Sequence, residues 1–314
     1  MRALVTGVAG FIGSTTAERL VRSGYEVRGV DAYTDSYEPQ IKCRNVADLI
    51  AHERFDFVEG DLAELDLAPL VDGIDVVFHL AALPGVRTSW GARFADYVRA
   101  NVLVTQRLLE ACRDVPIRRF VYASSSSAYG AAERFPTREV DVPSPLSPYG
   151  VTKLAGEHLA MLYAANFGVP CVALRYFTVF GPRQRPDMAI HRVIDAALRQ
   201  EEFVVFGTGN QVRDFTYVDD VVSANVLAAE REGVLGVFNI GGGVSASLND
   251  VIGHVEDILG LRVPRRNQER AAGDPERTGA DTTRAVDRLG WRPATSLRTG
   301  IEQQCSWQKR QPPS

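Results

Sequence analysis

At 314 residues, 45% hydrophobic and 24% charged, the chain can bury a full core and falls within ordinary globular usage, which excludes a disordered or fibrous protein. Its formal net charge of −4 gives no general attraction for nucleic acid or for an anionic membrane surface. The four cysteines, Cys43, Cys112, Cys171 and Cys305, lie far apart without a C-x-x-C pair, so neither a zinc site nor a disulfide framework is indicated and a reducing cytoplasm is expected.

Met1 is followed almost at once by the strand-like run Ala3-Leu4-Val5, with no basic leader and apolar segment before it. No apolar run approaches the roughly 18–20 residues that span a bilayer, so no membrane partner is expected. Short β-branched runs predict strands at Ala3–Thr6, Glu26–Val30, Asp56–Glu59, Val76–His79 and Arg119–Ala123. Apolar residues at helical spacing predict helices at Ile12–Ser23, Val98–Arg113 and Tyr149–Phe167. The alternation defines the expected fold class: α/β, a Rossmann-like doubly wound parallel sheet with a smaller C-terminal lobe.

Between the first strand and first helix stands Gly7-Val8-Ala9-Gly10-Phe11-Ile12-Gly13, a G-x-x-G-x-x-G turn. Its glycines let the backbone approach a pyrophosphate at a helix N-terminus, although alone they could mark only a strand-to-helix turn. Asp31 ends the second predicted strand 18 residues after Gly13, where a carboxylate accepts from both hydroxyls of an adenosine ribose. A carboxylate there would repel a 2′-phosphate, which favours NAD over NADP. Asp61-Leu62 and His79-Leu80-Ala81-Ala82 follow the third and fourth strands, where crevices at strand carboxyl ends receive ligands; small residues there serve core packing equally well.

Ser124-Ser125-Ser126-Ser127 closes the fifth strand, as a polar turn or as donors to a sugar hydroxyl. Tyr149 and Lys153 open the last predicted helix at i, i+4 spacing, which puts phenol and ammonium on one face. A nearby cation favours phenolate and brings a tyrosine closer to the operating pH for proton transfer, though a lone Tyr-x-x-x-Lys can also be a surface pair. Beyond Leu174 the pattern loosens into Gly-Pro-Arg-Gln-Arg-Pro at 181–186 and Gly-Asp-Pro at 273–275. Residues 1–175 are expected to form the cofactor domain, with 215–230 returning to it, and 176–314 mainly the substrate lobe.

In these motifs the chain resembles, from Leu4 to about Trp291, the extended short-chain dehydrogenase/reductase family, particularly its nucleotide-sugar epimerases and dehydratases. Further matches are Asn101, Arg175-Tyr-Phe-Thr-Val-Phe-Gly-Pro182, Arg213-Asp-Phe-Thr-Tyr-Val-Asp219 and Leu289-Gly-Trp291. The resemblance implies that Gly7, Gly10, Phe11, Ile12, Gly13, Asp31, Asp61, Leu62, Leu80, Ala81, Ala82, Asn101, Tyr149 and Lys153 hold NAD. It makes Tyr149 the base, Lys153 its tuner, Ser125 the substrate-hydroxyl partner, and Arg192 and Arg213 substrate ligands, with Arg213 on a UDP diphosphate. It also implies a homodimer paired through the helices at about 94–113 and 149–167.

The residues after Ser125 discriminate between reactions. Relatives that eliminate water carry an Asp-Glu pair there, and uronate decarboxylases carry Glu in the second place; this chain has Ser126 and Ser127. Two neutral serines are poor acids and bases for elimination. What remains is 4-epimerisation through a 4-keto sugar. The stretch around Gly85-Val86-Arg87 and the Tyr176–Met188 segment are similar to UDP-glucuronate 4-epimerases, which ranks UDP-glucuronate ahead of UDP-glucose or UDP-GlcNAc. Ser125, Ser126, Ser127 and Thr178 are then expected to hold the carboxylate, with Arg185 nearer the UDP; Arg87 and Arg185 could instead be solvated surface cations. Thr178 replaces the Asn of galactose epimerases, Phe180 replaces the commoner Tyr, and Arg270 is one residue out of register with their phosphate-binding arginine. A binding protein that senses NAD without turning over substrate is the non-enzyme alternative.

Overall fold

The β-branched runs fold as twelve strands in the computed structural model, which describes residues 1–269 and 275–311. In chain order they are β1 (Arg2–Thr6), β2 (Glu26–Asp31), β3 (Phe55–Glu59), β4 (Val76–His79), β5 (Arg119–Ser125), β6 (Cys171–Tyr176), β7 (Thr178–Phe180), β8 (Phe203–Phe206), β9 (Val212–Tyr217), β10 (Gly236–Ile240), β11 (Ser245–Ser247) and β12 (Arg265–Gln268). Seven form a parallel sheet in the order β10-β6-β5-β4-β1-β2-β3, whose direction of winding reverses between β1 and β4. That reversal opens a crevice at the strands' carboxyl ends, where a doubly wound sheet receives its ligand.

Both faces of the sheet are covered, so its strands are apolar on both sides. Ala3, Val5, Phe78, Val121 and Leu174 point to the face covered by the helices Phe11–Arg22 and Val218–Glu230. Leu4, Val77, Phe120, Tyr122 and Ala173 point to the other, against helices Val104–Arg113 and Pro148–Phe167. The strict alternation is the two-residue period of a strand. Each fully buried valine, leucine or phenylalanine among them contributes about 1.5–3 kcal/mol.

The helix expected over 98–113 begins earlier, at Phe94, and passes through a wider π-type turn at Val98–Leu103 before continuing to Arg113. The segment expected to return, 215–230, divides at Val218. Residues 215–217 stay in β9 of the three-stranded sheet β11-β9-β7, whereas the helix from Val218 packs on the helix Phe11–Arg22, with Asn225 Nδ2 donating to Thr16 Oγ1 at 3.2 Å. β10 then pairs with β6 as the outer strand of the main sheet.

The lobe is built on β7, β9, β11, the β8–β12 pair and the helices Ala189–Arg199, Leu248–Leu259 and Leu297–Gln308. Its apolar side chains, among them Phe180, Val193, Phe215, Ile252 and Ile301, belong to the same buried cluster as one face of the main sheet. Trp291 is fully buried and its indole N–H donates to Asp220 O at 2.8 Å, tying the lobe's last turn to the helix Val218–Glu230. No helix among the described residues is long and apolar enough to cross a membrane.

Candidate active site

The glycine turn is fixed by close approach. Gly7 has φ +67, and a Cβ on it would sit 2.8 Å from the backbone of Ala81. A Cβ on Gly13 would sit 2.1 Å from the carbonyl oxygen of Gly7, so only glycine lets the helix start against the turn. Gly10 is the N-cap of that helix; no side chain caps it and its first turn carries no acid. The leading N–H groups are therefore left for an anion, favoured by the positive end of the helix dipole.

Asp31, at the end of β2, accepts from the backbone N–H groups of Ala9 at 3.0 Å and Tyr33 at 2.9 Å, which aims its carboxylate into the crevice. Burial pushes this carboxyl up, and Lys42 and the N–H donors oppose the rise. Gly7, Gly10, Phe11, Ile12, Gly13, Asp31, Asp61, Leu62, Leu80, Ala81, Ala82, Tyr149, Lys153 and Arg185 all line one cavity. A run from a bare helix N-terminus, past a ribose-seeking carboxylate, to a buried phenol and amine fits a dinucleotide of the NAD type.

The wall at Ala81 is held by Thr6, whose Oγ1 accepts from Ala81 N at 3.1 Å and lies 2.8 Å from His79 Nδ1. His79 Nε2 in turn lies 3.0 Å from Thr105 Oγ1, and burial drops this imidazole to about 3, so it is a neutral strut. Asn101, expected among the cofactor ligands, is 1% exposed and absent from the cavity lining. Its amide exchanges hydrogen bonds with the backbone of Leu83, at 2.7 and 3.0 Å, and donates to Thr152 Oγ1 at 3.0 Å. With its donors and acceptor engaged, it is a brace between the wall and the helix Pro148–Phe167.

That helix starts where the sequence says it must. Ser147 caps it by accepting from Gly150 N at 3.1 Å, Pro148 takes the first position, and Gly168 ends it in the left-handed conformation. Tyr149 and Lys153 thereby face the cavity one turn apart, and Tyr97 packs edge-on to Tyr149 at 6.3 Å. Lys153 is 3% exposed, with its amine 4.8 Å from the ring centre of Tyr122. Burial pulls it down to about 7 against the opposing charge of Glu157.

Burial pushes Tyr149 up, and the groups that oppose it are the Ser125 hydroxyl and the Arg185 guanidinium. Ser125 Oγ accepts from Ser127 N at 3.1 Å, which holds Ser125, Ser126 and Ser127 in a single turn at the end of β5. The β5–β6 register sets Ser125 beside Tyr176, two residues before Thr178 at the start of β7, but Ser125, Ser126, Ser127 and Thr178 are outside the cavity lining, where Ser124 stands instead.

The arginines divide. Arg185 lines the cavity and is gripped by Asp187 through two bonds of 2.9 Å. Arg87 lies over the Phe206 ring at 4.1 Å, and Arg192 over Phe203 at 5.4 Å. Arg213 donates to Pro275 O at 2.7 Å and Val212 O at 2.8 Å. These three are outside the lining of the cavity, and Arg270 lies outside the described residues. Sequence reasoning missed Tyr37 and Lys42 on the cavity wall. Lys42 is 5% exposed and donates to Thr34 O at 2.6 Å and Thr34 Oγ1 at 2.8 Å. A signal was available: of 35 basic residues only three are lysines, Lys42, Lys153 and Lys309, and two of them are buried here.

Residues 3–241 match the NAD dependent epimerase/dehydratase family, and the chain belongs to it. The UDP-glucuronic acid 4-epimerase of Bacillus cereus, crystallised with UDP-glucuronic acid and NAD, is 45% identical and superimposes with a TM-score of 0.96 over 99% of both chains. An uncharacterized UDP-glucose epimerase of Bacillus subtilis, YtcB, is 44% identical across 98% of both chains. The UDP-glucose 4-epimerase of Thermotoga maritima, crystallised with UDP-glucose, is 33% identical, with a TM-score of 0.90 and 99% of both chains covered.

Proposed function

We propose that this chain is an NAD-dependent UDP-sugar 4-epimerase and that it interconverts UDP-glucuronate and UDP-galacturonate. The observation that carries the reading is that Tyr149 and Lys153 line the glycine-turn cavity together with Ser124, while Ser125 hydrogen-bonds the Tyr149 phenol at the head of a turn in which serine replaces the acid or base that elimination or carboxylate loss would recruit. Tyr149 takes the proton of the sugar C4 hydroxyl, Ser125 orients that hydroxyl, and Lys153 holds the phenol's surroundings polar. When bound, NAD would supply reversible hydride acceptance at C4, the chemistry that inversion through a keto sugar requires. Gly7, Gly10, Phe11, Ile12, Gly13, Asp31, Asp61, Leu62, Leu80, Ala81 and Ala82 would hold it.

A cradle of neutral hydroxyls from Ser126, Ser127 and Thr178 fixes a carboxylate without promoting its departure. Arg213 and Arg185 supply the charge for the diphosphate, and a guanidinium fork suits phosphate oxygens. UDP-glucose is the second reading, favoured by the likeness to the Thermotoga enzyme. The two are separated by incubating the protein with each UDP-sugar carrying deuterium at C4. UDP-galacturonate formed with its carboxylate and label intact is the expected result; carbon dioxide release or label washout would refute the mechanism, and turnover of UDP-glucose alone would overturn the sugar.

The protein also pairs with a second copy of itself in this reading. The helical segments 94–113 and 148–167 leave Val98, Leu103, Val151, Leu162 and Phe167 exposed, apolar side chains that pairing with a second copy would cover. Light scattering that gives a monomer at micromolar concentration would overturn this. The four free cysteines accord with a reducing cytoplasm.

A further inference from the structure

Beneath the catalytic face lies a buried ion pair that the proposed chemistry does not use. Glu157 follows Lys153 by one helical turn and is 2% exposed. Its carboxylate accepts from Arg175 Nε at 2.8 Å and Nη2 at 2.6 Å, and from Ser124 Oγ at 2.6 Å. Arg175, on β6, is 3% exposed and rests over the Tyr129 ring at 4.5 Å. Two charges buried this deeply are seldom kept for stability, since a well-packed apolar pair does as well or better. Something else must favour them here.

We propose that Glu157 is a positioning residue whose carboxylate, held still by Arg175 and Ser124, is the buried counter-charge that keeps Lys153 protonated in the working site. The surroundings of the lysine leave it no rival. On its own helix it has Tyr149 on one side and Glu157 on the other. β4 presents His79, which is neutral; β5 presents the Tyr122 ring; β6 presents Arg175, a cation already tied to Glu157; and the charge that the loop after β7 brings to the same cavity is Arg185, a cation. Glu157 is the one group that raises Lys153 against burial. Arg175 locks the carboxylate's direction, so that the i, i+4 neighbour cannot rotate to solvent.

This deepens the epimerase reading and rests on Lys153 being its working lysine, but the test is made on the lysine itself. With only three lysines in the chain, protein labelled with ε-¹³C-lysine gives three NMR signals, each of which can be titrated. In Glu157→Gln the Lys153 midpoint should fall by about one pH unit, the effect of losing an opposite charge one helical turn away, while Lys42 and Lys309 stay where they were. Glu157→Gln leaves Arg175 buried alone and can fail to fold. The double variant Glu157→Gln/Arg175→Met leaves no lone charge, and there too the Lys153 midpoint should stay low although the fold is restored; Glu157→Asp, which keeps the charge, should bring it back up. A Lys153 midpoint unmoved in the double variant, or restored by it, would overturn the proposal and leave the pair a purely structural tie. Turnover of UDP-sugars does not enter the measurement, so its absence in the wild-type protein would count against the epimerase reading alone.

Discussion

The two ends of the site are made differently. At the cofactor end, side chains project from strand ends and from the first turns of helices that the sheet holds in place, and backbone hydrogen bonds aim them, as at Asp31. At the lobe end, Arg87 lies on a short turn, Arg192 on the helix Ala189–Arg199 and Arg213 on β9, and each occupies itself with a ring or a carbonyl of the protein. The first end has its carboxylate aimed by the backbone, whereas the arginines of the second are engaged with the protein itself. Preorganised groups lose less on binding, so substitutions at the first end should be the more damaging.

Tyr149→Phe should show the largest effect: loss of one oxygen should leave NAD bound and lower turnover by about 10²–10⁴ or more, read as product formed by protein of normal NAD content. Near-normal turnover would mean the base lies elsewhere. Gly13→Ala comes next, because its Cβ would meet the Gly7 carbonyl at 2.1 Å. Overpacking of that kind costs about 1–3 kcal/mol, and thermal unfolding should show the loss together with weakened NAD binding. Asp31→Ala should weaken NAD by roughly 1.5–3 kcal/mol in calorimetry, the range for hydrogen bonds to a charged group; tighter binding of NADP than NAD by the unaltered protein would break the assignment of this residue.

Effects at the lobe should be smaller and confined to substrate. Arg213→Ala should raise KM for the UDP-sugar by about tenfold with NAD affinity unchanged, and equal loss of both would erase the contrast between the ends. Thr178→Val should be the mildest, lowering kcat/KM for UDP-glucuronate by about tenfold or less while sparing UDP-glucose. Equal effects on both sugars would remove Thr178 from carboxylate recognition.

The same contrast explains what could be read in the sequence. Strands β1 to β5 and the starts of helices at Phe11 and Pro148 are announced locally, by β-branched runs, glycines, a capping serine and a proline. The cavity residues that follow them could be named because each sits at a fixed offset from such a signal. Tyr37 and Lys42 were not, since their place depends on how the connection after β2 folds back, which no periodicity records. The brace role of Asn101 and the upward shift of Tyr149 depend on burial by residues distant in sequence. The lobe's short strands, three or four residues in β7, β8 and β11, are too brief to show an alternation at all.

One feature of the main sheet bears on how the chain is made. Its outer strand, β10, is contributed by residues 236–240, after β7, β8 and β9 of the lobe have already been traced, and Asn239 there ties to Glu139 Oε1, the Tyr129 hydroxyl and Thr137 O. A ribosome that has released only the first 175 residues therefore exposes an all-buried β6 with an open edge, the kind of surface that recruits a neighbouring chain. Completion of the sheet waits for the carboxyl-terminal third, so the two halves cannot mature one after the other. A truncation at residue 175 should accumulate in inclusion bodies, and co-expression of the remainder should be needed to bring it into solution.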